Sequence, residues 1–322
     1  MTSFCISENI DQKLGKRVFL NPYSAGGGRK ILSDPVINGI KFFQDNISNN
    51  ILFFSGRLGS VETKVLLKSN LNDILTANEN KKNVLSLRKE AWINAGIWPP
   101  TNSQMRKFSN RYAEAIEKAT VMAIWESPDS LPSEQQLIKH FNPICEQVPL
   151  RILDPVQLVG QGFDSWTLAL EGKKVLVVHP FGDLIKSQYE KREALHAKAL
   201  LPDFTLSVIK PPQSNGLKFS LDSWSEKFRE FETQLDLFIN KFEPDIALIA
   251  AGAYGMPIAN LLYSKKVSSI YIGGSLQLIF GIWGARWKTN KNILSISTEN
   301  WVTPEKKLRP KGSFLIEKSC YW

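Results

Sequence analysis

The chain has 322 residues, enough for one large domain or two ordinary ones, and its 43% hydrophobic and 22% charged side chains exclude a wholly disordered protein. Its 20 Gly and 17 Pro follow no period, which excludes collagen-like and low-complexity classes, and no apolar run reaches the roughly 18–20 residues of a membrane helix. The net charge is +9, and Arg286–Trp322 alone carries eight Lys/Arg against three Glu, a stretch suited to anionic partners or to a solvated basic surface.

Residues 1–50 read as an N-terminal extension, without the apolar core of a signal peptide, so the expectation is a cytoplasmic protein. The three cysteines, Cys5, Cys145 and Cys320, are far apart and lack C-x-x-C spacing, which argues against a disulfide framework or a Cys-based zinc site. Phe19–Arg29 is similar to the Asn-Pro-x-Ser-Gly-Gly segment of diacylglycerol and sphingosine kinases. Those enzymes also need a Gly-Gly-Asp-Gly-Thr nucleotide loop, which this chain lacks.

Residues 51–150 read as a first α/β and helical part. A short buried strand over Ile51–Phe54 runs into a Gly-punctuated turn, Ser55–Ser60, and then a helix whose apolar residues resume at Val61, Val65 and Leu66. Helical spacing continues within Leu85–Glu126, with Phe108, Tyr112, Ala115, Ile116 and Ala119 on one face behind a Pro99-Pro100-Thr101 stop and cap. Val121–Trp125 reads as a strand.

Residues 151–322 have the rhythm of a Rossmann-like nucleotide-binding part. Strands over Lys173–His179, Phe204–Ile209, Asp245–Ala251 and Ser269–Ile272 are separated by helices over Leu184–Leu200, Ser223–Phe242 and Tyr254–Lys265. Strands without polar alternation imply a parallel sheet buried on both faces, with its ligand crevice at the carboxyl ends. Those ends hold His179–Asp183, Gly252–Gly255 and Gly273-Gly274, turns suited to a phosphate or nucleotide. The Gly252–Gly255 pair lacks G-x-G-x-x-G spacing, and a plain tight turn is the other reading. His179 is the best-placed histidine, whereas His140 and His196 read as structural. Asp183 is either a base or a helix cap, and Lys186, Tyr189 and Arg192 either reach the crevice or form an exposed basic face. Arg57 is a planar partner for phosphate, and Glu62 is either a first-turn carboxylate favoured by the helix dipole or a chemical group.

The segment Gly56-Arg57-Leu58-Gly59-Ser60-Val61-Glu62 resembles the Arg-Phe-Gly-Asp-Gly-Glu signature of GT-D-fold glycosyltransferases, and residues 173–192, 245–266 and 269–287 resemble bacterial surface-polysaccharide proteins with that domain. The resemblance implies an α/β, Rossmann-like, mostly parallel sheet flanked by helices. It also implies transfer of a sugar from a nucleotide-sugar, a UDP-sugar first, to a glycan or lipid-linked acceptor. From the residues themselves, Arg57, Gly59, Ser60, Lys186, Tyr189, Arg192, Gly252, Tyr254, Gly255, Gly273 and Gly274 are assigned to the donor, and Glu62 with His179 or Asp183 to catalysis. The family's Asp-x-Glu pair keeps only its Glu here, since Ser60 stands in the Asp position. Glu62 is therefore the one carried-over ligand for Mg²⁺ or Mn²⁺, and a route in which Arg57 and helix N-termini neutralise the diphosphate stays open beside it.

Two other classes compete. A nucleotide-binding scaffold would keep the Gly turns without needing Glu62. A nucleic-acid binder, which is not expected, would use the basic stretch with Trp283, Trp287 and Trp301 as stacking platforms, though such Trp are commonly core residues. The four cations Lys306, Lys307, Arg309 and Lys311 suit weak contact with the anionic inner face of a membrane.

Overall fold

A computed structural model describes residues 33–71, 81–127, 129–214, 221–309, 312–316 and 319–322. The kinase-like segment 19–29, Cys5 and Lys311 lie outside the described residues. The core is one seven-stranded sheet in the order β3-β2-β1-β7-β6-β4-β5, with every pairing parallel. The strands are β1 (Phe54–Arg57), β2 (Val121–Ile124), β3 (Glu146–Pro149), β4 (Lys174–Val178), β5 (Thr205–Ile209), β6 (Ile246–Ile249) and β7 (Ser268–Tyr271). This is the α/β, Rossmann-like architecture expected, and segments 51–150 and 151–322 contribute strands to the same sheet.

Strands β2, β4 and β6 are almost continuously apolar because both faces of the sheet are covered. Side chains alternate across a strand, so Val175 and Val177 of β4 enter one core while Leu176 and Val178 enter the other. The first core is roofed by the helix Ser33–Ser48, by residues 150–160 and by the helices Gly182–Tyr189 and Leu276–Ile279. The second lies under Ser60–Leu66, Asn102–Lys118, Leu131–Phe141, Trp224–Phe242 and Gly255–Ser264. Two of these helices carry the caps their sequences specify. Thr101 accepts from the Gln104 N–H, and Ser223 with Glu226 forms a reciprocal capping box.

This distribution opens the sheet at its carboxyl edge. The chain leaves β1 toward the second core, β7 toward the first, β6 toward the second and β4 toward the first. Adjacent connections diverge at each step across the middle of the sheet, the arrangement that leaves a ligand crevice in doubly wound folds.

Two elements differ from the sequence expectation. The first strand is Phe54–Arg57 rather than Ile51–Phe54, so Gly56 lies inside it. A Cβ at Gly56 would fall 2.7 Å from the sulfurs of Met122 and Met256, so the glycine serves close packing rather than a turn. The helix expected over Leu184–Leu200 runs from Gly182 to Tyr189, with a separate turn at Arg192–Leu195. Two elements had no signal clear enough to assign: the helix Ser33–Ser48, which packs on the sheet rather than extending from it, and the short edge strand β3.

Candidate functional site

A cleft of about 1010 Å³ opens at the carboxyl ends of the strands. Its wall includes Arg57, Gly59, Ser60, Glu62, His179, Gly252, Gly273 and Gly274, so eight sequence-assigned residues come from four separate strand ends.

Arg57 ends β1 at the centre of the sheet. Its Nη1 donates to the Ile272 carbonyl at 3.0 Å, and its guanidinium sits 5.7 Å from the Trp125 ring centroid and 5.8 Å from that of Tyr271. Gly273 has φ +83°, and a Cβ there would fall 2.6 Å from Nη1, so glycine is required both for the turn and for the arginine. The buried Nε–H of Arg57 has no hydrogen-bond partner among the described residues.

Acidic and phenolic groups surround this cation. Glu62, only 7% exposed, lies in the first turn of Ser60–Leu66, and its carboxylate folds back so closely that a Cβ at Gly59 would collide with it. Burial, the neighbouring Tyr271 and then the Glu62 charge push the Tyr112 hydroxyl well above its ordinary pKa. Burial followed by Glu62 does the same to Tyr271, whose hydroxyl donates to the Gly252 carbonyl at 2.9 Å. Glu134 is buried behind Trp125, accepts that residue's backbone N–H at 2.7 Å, and is pushed up to about 8 by burial. Asp154 lines the cleft, its Oδ1 buried without a hydrogen-bond partner among the described residues, and burial raises it to about 7. Arg57 lowers both carboxyls, but desolvation wins in each. A second pair, Arg151 and Glu126, meets at 2.6 Å on the cleft wall.

His179 follows β4. The backbone N–H of Phe181 donates to its Nδ1 at 3.0 Å, which leaves the proton on Nε2, and burial pulls the ring down to about 3. His179 is therefore a neutral donor. The expected base role would require a lone pair at Nε2, where the local bonding places a proton.

The Gly252 turn is a short 3₁₀ segment, Gly252–Tyr254, running into the helix Gly255–Ser264. Gly252 has φ +51° and only the Ala95 carbonyl within reach of an added Cβ, at 3.7 Å. The leading N–H groups of such a segment have no partner within the helix, which suits an anion.

Six assigned residues do not line the cleft. Gly255 instead makes room for the Tyr271 ring, with which a Cβ would collide. Tyr254 is core: it stacks on Trp224 at 5.3 Å, and its hydroxyl meets that of Ser214 at 2.5 Å. Asp183, whose side chain is 84% exposed, pairs with Lys210 at 2.8 Å, and that lysine holds its carboxyl below the usual range. The helix Gly182–Tyr189 buries Ile185, Gln188 and Tyr189 against the first core, which turns Asp183 and Lys186 outward. The Tyr189 hydroxyl donates to the Phe204 carbonyl at 2.7 Å and accepts that residue's N–H at 2.6 Å, while Arg192 pairs with Asp203 at 2.8 Å.

The structure adds Trp125, Glu134, Asp154 and Tyr271 to the site. Trp125 could have been found as the residue closing a recognised strand. Asp154 could not, because it follows β3, whose Glu-Gln-Val-Pro sequence gives no strand signal.

Among the described residues, no group of three or more His, Cys, Asp or Glu stands close enough to hold a metal ion. Glu62 shares its surroundings with a guanidinium and two tyrosines, and burial raises Asp154 to about 7 and Glu134 to about 8, which weakens both as cation ligands at neutral pH. This donor set does not fit a resident Mg²⁺ or Mn²⁺. No helix of the described residues is long and apolar enough to cross a membrane. No protein-family model matches the chain, and neither does any curated protein or solved structure.

Proposed function

We propose that the protein is a glycosyltransferase. It would take a sugar from a nucleotide-sugar, a UDP-sugar first, and pass it to a glycan or lipid-linked acceptor of cell-surface polysaccharide at the cytoplasmic side. The observation that carries this reading is Arg57. It is a guanidinium fixed at the sheet's central crevice by a carbonyl, two aromatic rings and a glycine with positive φ, with its Nε–H unpartnered among the described residues. A cleft of about 1010 Å³ is at the large end of small-molecule sites and is roomy enough for a nucleoside diphosphate with a sugar attached.

In the transfer, the bond between the anomeric carbon and the diphosphate oxygen breaks, the nucleoside diphosphate leaves with the electron pair, and an acceptor hydroxyl oxygen bonds to the carbon. Arg57 and the leading N–H groups of the Gly252 turn stabilise the charge gathering on the diphosphate. Glu62 holds donor sugar hydroxyls. Asp154 replaces His179 and Asp183 as the base: it lies in the cleft, and a carboxyl near 7 is matched to taking an acceptor proton at neutral pH. His179 supplies a fixed Nε2–H donor.

The test is turnover against UDP- and GDP-sugars, followed as release of the nucleoside diphosphate. Consumption of at least one donor by the wild type, lost in Arg57→Gln, is the expected result. Tight UDP binding with no turnover of any donor, whatever acceptor extract is added, would support a non-catalytic nucleotide-binding protein instead.

A further inference from the structure

The cleft has a second end that the transfer chemistry does not use. It is built from Arg286, Trp287, Tyr321 and Trp322, all on its wall. The Arg286 guanidinium lies 5.1 Å from the Tyr321 ring centroid and 5.6 Å from that of Trp287, and the two rings are 6.1 Å apart. Residues 319–322 are seated there by dedicated features. Gln277 donates to the Tyr321 carbonyl at 3.1 Å, and the Arg286 N–H donates to the Cys320 carbonyl at 3.2 Å. A Cβ at Gly284 would fall 2.6 Å from that same carbonyl, and one at Gly274 would collide with the Tyr321 ring.

The last contact joins the two ends. Gly273 makes room for the Arg57 guanidinium, and Gly274, the next residue, makes room for the Tyr321 ring. Successive Cα atoms are about 3.8 Å apart, so a cation and an aromatic ring are presented side by side on one dipeptide. A ligand lying across that dipeptide meets an anion partner on one side and a flat, cation-backed aromatic surface on the other. A nucleotide has the same two poles, an anionic diphosphate and a planar base, joined through its ribose. We propose that Tyr321, with Trp287 and Arg286 beside it, forms the nucleobase subsite of the cleft. The base stacks on Tyr321 while the diphosphate reaches Arg57. The assignment rests on the reading of the cleft as a nucleotide-sugar site and specifies how that site tells a nucleotide from a bare diphosphate.

Calorimetry with two probes, UDP and inorganic pyrophosphate, tests it in the full chain. Stacking of a base on an aromatic side chain contributes about 1–3 kcal/mol by alanine substitution, roughly 5- to 150-fold in affinity. Wild type should therefore bind UDP more tightly than pyrophosphate by about that factor. Tyr321→Leu should erase the difference while leaving pyrophosphate affinity unchanged, and Tyr321→Phe should keep it. Should Tyr321→Leu melt early, the wild-type ratio of the two affinities decides the matter by itself. Equal affinity of wild type for the two probes, or wild-type UDP affinity in Tyr321→Leu, overturns the subsite. Tight UDP binding that depends on Tyr321, with no turnover of any donor, keeps the subsite and overturns the transferase reading. Failure of wild type to bind either probe overturns both.

Discussion

The ends of β1 and β4 look alike in sequence and behave differently in the folded protein. Each strand end carries charged residues and runs into a helix, with Arg57 and Glu62 at β1 and Asp183 and Lys186 at β4. After β1 the arginine is the last residue of the strand itself, aimed along the sheet and clamped by Ile272 and Gly273 from the neighbouring strand end. After β4 the charges sit on a helix that must bury Ile185 and Tyr189, and that requirement turns them to solvent. Position at a strand's carboxyl end makes a residue a candidate. Which way its side chain faces is decided by the packing of the element that carries it.

The largest expected effect sets these ends against each other. Arg57→Gln should lower UDP affinity and donor turnover by about 100-fold or more, as losing a preorganised charge-stabilising donor does. Asp183→Asn with Lys186→Gln should leave both within about twofold. Equal losses in the two variants, read by calorimetry and product release, would erase the distinction.

Glu62 sharpens the comparison within the β1 end. Removing a helix-terminal carboxylate costs about 0.5–2 kcal/mol of stability when its role is capping or dipole compensation. Glu62→Gln should stay within that range on denaturant unfolding yet lose most of its turnover. A variant that turns over normally and only unfolds earlier makes Glu62 a structural residue.

The carboxyls behind Arg57 give a pH signature that the β4 end lacks. Burial raises Asp154 to about 7 and Glu134 to about 8 from ordinary values near 4. The folded chain therefore holds protons that the unfolded chain releases, so this part of stability is fully present below about pH 4 and is lost as pH rises to about 8. Glu134→Gln should flatten the fall of Tm over that window. UDP affinity should decline above about pH 7 as new negative charge appears beside Arg57, while turnover should rise as Asp154 becomes able to accept a proton. Asp154→Asn should remove both trends. Parallel slopes in wild type and both variants would show that neither carboxyl titrates in this range.

Much of the frame was legible in the sequence. The runs Val175–Val178 and Ile246–Ile249, short, apolar and closed by turn residues, read as doubly buried strands, and the glycines at 252 and 273 mark the turns that form the crevice. The site was legible where a residue ends a strand, as with Arg57 and His179. It was not legible at Asp154, placed by an edge strand without β-formers, nor at Tyr321, brought to the cleft by contacts with Gly274, Gln277 and Arg286 far away in the chain. For the helix after β4, the sequence could not tell which of its charged faces would meet the core. Tyr254 misled for a related reason: an aromatic in a glycine turn reads as a ligand contact, whereas its ring completes the Trp224 and Phe228 stack.

The smallest effect lies outside the cleft. Lys306, Lys307 and Arg309 are exposed, and Lys307 pairs with Glu305 at 2.9 Å. With about 1 kcal/mol per cation near an anionic bilayer, attachment should be weak and salt-sensitive. The protein should co-sediment with phosphatidylserine vesicles at low salt and be released at high salt. Replacing the three residues and Lys311 with Gln should weaken that without changing hydrolysis of free donor. Equal partition onto neutral vesicles would leave these cations as ordinary solvated surface.

The most direct test of the central claim is a crystal structure of the protein with UDP bound. Diphosphate oxygens should lie within hydrogen-bonding distance of the Arg57 guanidinium and of the N–H groups leading the Gly252 turn. A nucleotide seated with its phosphates on Lys186 and Arg192, or anywhere Arg57 cannot reach, would contradict it.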